Sequence, residues 1–159
     1  MFLVASRLGH SIETRVDDEA ATKRRIALAK LFDQVAMEMV DRVVSEAVRA
    51  STFFGLRGSA ARRYGERIRG LLPAALDVLT EPTAAARDQK LDDLVSSVRK
   101  ISEEHHVPRI IERGLVSIAF GAARHLVRER AASTDFAADD LDEELNGYRR
   151  AFEERLFRS

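Results

Sequence analysis

The chain has 159 residues, a formal net charge of zero, 45% hydrophobic and 33% charged residues, and no cysteine. That length suits one domain with a real core, and the neutral balance gives the whole molecule no electrostatic reason to seek nucleic acid or anionic lipid. The missing cysteine removes disulfides, thiolate nucleophiles and cysteine-based metal sites together, and it fits a reducing, cytoplasmic setting.

The opening MFLVASRLGHSI is briefly apolar but lacks a basic start, a long apolar run and a small-residue cleavage site, so it does not read as a signal peptide. Residues 1–16 are expected to form an arm or short helix docked on the core, and residues 17–159 one helical domain. No run approaches the roughly 18 apolar residues that cross a bilayer. The first strong helix is expected from Asp17–Asp18 to about Ala50, with Leu28, Phe32, Val35, Met39 and Val43 as one apolar stripe, widened by Val40, Val44 and Val48. A helix that long predicts a bend or break, at a place no residue marks.

The segment STFFGLRGS, residues 51–59, is punctuated by Gly55 and Gly58 and puts Phe53 and Phe54 at a corner, as a core plug or as a pocket wall. Ser59–Leu79 reads as a helix with Tyr64, Ile68, Leu71, Leu72, Leu76 and Leu79 inward, divided or kinked at Pro73. Its arginines, Arg57, Arg62, Arg63, Arg67 and Arg69, surround Glu66 without interleaved aromatics and read as a solvated face. Thr80–Arg87 is expected to be a loop around Pro82. A helix over 88–104 follows, facing inward with Leu91, Leu94, Val95, Val98 and Ile101.

After a His105–His106 corner, Pro108 begins the most hydrophobic helix, about Pro108–Arg130, with Ile110, Ile111, Leu115, Ile118, Ala122 and Leu126 inward. Gly114 and Gly121 lie on nearly one face, and each costs about 1 kcal/mol in a helix interior. They are therefore expected to admit a neighbouring backbone or a flat ligand. This helix is expected to thread the middle of the molecule. Ser133–Thr134–Asp135 is expected to cap the last helix, striped by Phe136, Leu141, Leu145, Tyr148, Phe152 and Leu156, acidic first and basic last.

Little here points to chemistry. The histidines are His10, His105, His106 and His125; no nucleophile elbow, HExxH or phosphate-cradling glycine loop accompanies them. Glu103 and His106 form a single E-x-x-H pair, where a bundle di-metal site needs two and further carboxylates. His105 and His106 read as helix-terminal caps or, alternatively, as metal ligands. His125 reads as a half-buried helix residue. No enzymatic activity is expected.

From about Met39 to Leu156 the order and spacing resemble the globin superfamily. The Thr52–Phe53–Phe54 corner resembles the globin C helix and its haem-wedging phenylalanine; Tyr64 falls near the distal position, with Ile68 one turn on. SSVRKISEEHHVPRIIERGL resembles a proximal helix, its corner and the start of the G helix, and FAADDLDEELNGYRRAFEERLF a final globin helix. Counted back from Pro108, the proximal ligand position falls at about Ile101 or Ser102, neither of which ligates iron. The chain is similar, too, to haem-free globin-like modules of bacterial stress and sporulation signalling.

The resemblance implies an all-α, single-domain orthogonal bundle of about six to seven helices. It also implies a sensor or binding function, with a small apolar ligand held by Phe54, Tyr64, Ile68, Ile101, Ile118 and Leu126. A homodimer or a partner signalling protein would read its state by helix packing. Two other readings stand beside it: a haem protein with His105 or His106 proximal and Tyr64 distal, or a helical protein–protein interaction module without an internal site. No nucleic-acid or membrane partner is expected.

Overall fold

The computed structural model describes the backbone of residues 2–54 and 58–158, with the side chains of residues 19–42, 44, 45, 49, 59, 60 and 62–158. Among the described residues every regular element is helical. The order is α1 (Phe2–Phe54), α2 (Gly58–Arg69), α3 (Leu72–Thr80), α4 (Ala84–Glu104), α5 (Arg109–Arg130), a 3-10 turn (Ala131–Ser133) and α6 (Ala138–Phe157). Among the described residues, no helix is long and apolar enough to cross a membrane.

α1 is one helix of 53 residues, about 80 Å at 1.5 Å per residue. It starts well before Asp17, and no interruption divides it; the segment contains no proline and only one glycine, Gly9. Its stripe faces the core as the periodicity predicts, with Leu28, Phe32, Val35 and Val40 buried. Val43 and Val48 lie outside the described side chains.

The chain between Ser59 and Leu79 divides as expected. α2 stops at Arg69 and α3 starts at Leu72, with Pro73 in its first turn. Proline has no N–H to return to a carbonyl one turn earlier, and the join is instead closed by Gly70 N–H to Glu66 O and Leu71 N–H to Ile68 O. The loop before α4 is shorter than expected. Thr83 caps the helix by accepting the Ala86 N–H on its hydroxyl, 3.3 Å away, so the helix begins at Ala84.

The last helix is also capped differently. α6 begins at Ala138 without a side-chain cap; Thr134 Oγ1 instead accepts the Phe136 N–H at 3.2 Å and donates to Ala131 O at 2.7 Å, tying down the turn before it. At the other end Arg99 donates to the carbonyls of Arg155 and Leu156. It thus satisfies carbonyls that the end of a helix leaves without partners. Arg155 reaches back to Asp92 at 2.7 Å and Asp88 at 3.2 Å, so the last turn of α6 is tied to α4 at several points.

The organising element is α1, not α5. α1 packs on α2, α3, α5 and α6, while α4 lies across α3 and α6 and reaches α2 with its end. α5 buries one face through Ile111, Leu115, Ala122, Ala123, Leu126 and Val127. Ile110 is 75% exposed and Ile118 37% exposed, so two of the residues expected inward point out. Gly114 and Gly121 have nothing within 4 Å of where a Cβ would stand. They admit no neighbouring backbone; the expectation of a threaded, closely packed helix is corrected to a one-faced surface helix. The reason is geometric. Ile110, Gly114, Ile118 and Gly121 recur at three- and four-residue steps like the buried set, but occupy another side of the same helix.

α5 and α6 share one buried charge. Asp142, 4% exposed, accepts from Arg124 Nε at 3.3 Å and pairs with Arg128 through the same oxygen. Both arginines keep about half their surface in solvent.

Candidate functional site

The helices line an apolar pocket of about 180 Å³ that is partly open to solvent. α1 contributes Phe32, Ala36, Met39, Val40 and Val44; α2 contributes Tyr64, Gly65 and Ile68; Leu71 and then Leu72, Ala75, Leu76 and Leu79 of α3 follow. From the far side come Leu94 and Val98 of α4, five residues of α5 from Leu115 to Ala123, and Leu145, Tyr148 and Phe152 of α6. Every helix supplies a wall because every apolar stripe converges here. Phe120 forms an aromatic cluster with Tyr148, centroids 5.9 Å apart, and Phe152, 5.8 Å apart.

One close approach shapes this wall. A Cβ on Gly65 would stand 2.2 Å from Val44 Cγ2. Only a residue without a side chain lets α2 come this close to α1. Sequence reasoning passed over Gly65, because a lone glycine in a helical pattern does not say what it faces.

Two phenols border the cavity and both are engaged. Tyr64 and Ser102 share a hydrogen bond of 3.1 Å, both buried. Tyr148 donates to Ala75 O at 3.2 Å. Burial holds both phenols protonated to higher pH than usual; for Tyr64 the Ser102 bond opposes the shift and the Glu112 charge adds to it.

No family model, curated protein or solved structure matches the chain. Of the residues expected around a ligand, the structure brings Tyr64 and Ile68 to the cavity. Ile101 packs with Ile111 against Tyr64 and Leu115, two residues of the pocket wall. Leu126 belongs to the core between α1, α5 and α6. Ile118 borders an open groove of mixed character with Asp41, Arg42 and Gly121. None of these three is among the residues that line the pocket. The Phe54 side chain lies outside the described residues.

The two histidines belong to the α4–α5 corner. His105 ends α4 with its N–H on Ile101 O at 3.0 Å, and its ring meets Tyr64 edge-on at 5.9 Å. His106 takes the left-handed conformation, φ 54°, and Val107 N–H closes on Ser102 O at 2.8 Å, a turn that commonly ends helices. Neither imidazole is among the residues lining the cavity. Among the described residues, no imidazole lines this pocket. His125 is exposed and pairs with Glu129 at 2.9 Å rather than being half-buried; His10 lies outside the described side chains. Among the described residues no three His, Asp or Glu side chains gather as a metal site would need. Two of the arginines on α2 are occupied by carboxylates: Arg67 by Glu104 at 2.6 Å and Arg69 by Asp41 at 3.4 Å.

Proposed function

We propose that the chain is a non-enzymatic, globin-like binding domain that holds a small apolar ligand and signals occupancy through helix packing. The observation that carries this reading is the cavity itself, about 180 Å³ walled almost wholly by hydrocarbon. Close-packed cores seldom leave a void larger than a water molecule. A cavity of about 150 Å³ lined by aliphatic and aromatic side chains stays dry and takes up benzene or xenon. The globin-like part draws support from Tyr64 and Ile68, which line the cavity from the helix that the resemblance places on the distal side. A ligand there touches α1, which packs on four other helices, so occupancy would pass to a second copy or a signalling partner through that helix.

The test is xenon. In methyl-resolved NMR under a few atmospheres of the gas, the methyls of Met39, Ile68 and Leu115 are expected to shift, and that of exposed Ile110 to stay. Uniformly unmoved methyls would overturn the reading.

A further inference from the structure

We infer that this cavity selects compact hydrocarbons without hydrogen-bonding groups, a reading that rests on the proposed ligand-holding role. Size sets the first limit: about 180 Å³ is close to the roughly 150 Å³ that accommodates one benzene ring. Chemistry sets the second. Among the described residues lining the cavity none is charged, and the two hydroxyls are those of Tyr64 and Tyr148. Each already has a protein partner, Ser102 at 3.1 Å and Ala75 O at 3.2 Å. The lining backbone lies almost entirely within helices, where its N–H and C=O groups bond each other.

A ligand hydroxyl set against these walls would stay unpaired or displace one of these bonds, and either weakens binding roughly tenfold or more. A carboxylate set against them would fare worse, since a charge without a partner in apolar surroundings is among the least favourable states in a protein interior. The pocket is partly open to solvent, so a polar group escapes this penalty only by facing its mouth. The class favoured is thus a single unsubstituted or alkylated ring, or a compact branched alkane, over phenols and fatty acids.

Titration calorimetry of the full chain with toluene, phenol and octanoate tests this. Toluene is expected to bind, and phenol and octanoate each at least tenfold more weakly. Toluene is further expected to shift the Ile68 and Met39 methyls, and Ala119→Leu, at a lining residue, to abolish its binding. Phenol or octanoate binding as tightly as toluene would overturn the selectivity, as would toluene binding that leaves those methyls unmoved. If xenon enters but toluene does not, the hydrocarbon class is wrong while the ligand-holding role stands; if neither enters, both fall.

Discussion

At Gly65 the chain tolerates no side chain. Its Cβ would overlap Val44 Cγ2 at 2.2 Å, and valine is stiff about its first side-chain torsion, so the contact is not easily relieved. Gly65→Ala is expected to lower stability by about 1–3 kcal/mol, the usual range for overpacking, despite alanine's better helix propensity. Urea denaturation measures the loss, and Val44→Ala in the same chain is expected to restore most of it. The phenol of Tyr148 gives a second prediction at this scale. Burial raises its pKa above the ordinary 10.0, so in alkali the unfolded chain releases this proton before the folded one does. The stabilisation is complete below about pH 10 and declines above it. Tyr148→Phe should lower stability at pH 7 by about 1 kcal/mol for the lost bond to Ala75 O. It should also flatten the decline in melting temperature between pH 9 and 11.

At the scale of elements, α5 shows what a glycine does without a neighbour. Nothing stands within 4 Å of a Cβ at Gly114 or Gly121. Gly114→Ala and Gly121→Ala are each expected to stabilise the protein by about 0.5–1 kcal/mol, the helix-propensity difference, readable as a rise in the urea midpoint. A drop would mean that this face is packed. Periodicity made the stripes of α1 and α6 legible, since Leu28–Val40 and Leu141–Leu156 each repeat on one side. It could not orient α5, where isoleucines occur on two sides and only burial separates Ile111 from Ile110. Pro73 announced its own break because the missing N–H acts locally. The start of α4 was misplaced because Pro82 outweighed Thr83, whose hydroxyl begins the helix one residue after the capping threonine.

Across the whole molecule the all-helical architecture was legible and the cavity only in part. Tyr64 and Ile68, expected beside a ligand, line the pocket, and so do Val44, Gly65, Ala119 and Tyr148, which were not expected there, since a sequence reports which side of a helix is apolar but not whether facing stripes fill the space between them. Leu115, buried at the meeting of α5 with the pocket, and Ile110, 75% exposed on the same helix, separate the two cases. Leu115→Ala is expected to cost about 2–5 kcal/mol, while Ile110→Ala stays within about 0.5 kcal/mol; chemical denaturation of both checks the difference.

Side chains that leave about 180 Å³ unfilled also make the native state the more voluminous one. Unfolding hydrates the apolar walls of that space completely, so the volume of the system shrinks on denaturation by an amount that scales with the part water does not already fill. Hydrostatic compression should therefore drive the chain apart more readily than it does a protein of equal thermal stability with a solid interior. A hydrocarbon lodged inside should raise the pressure needed.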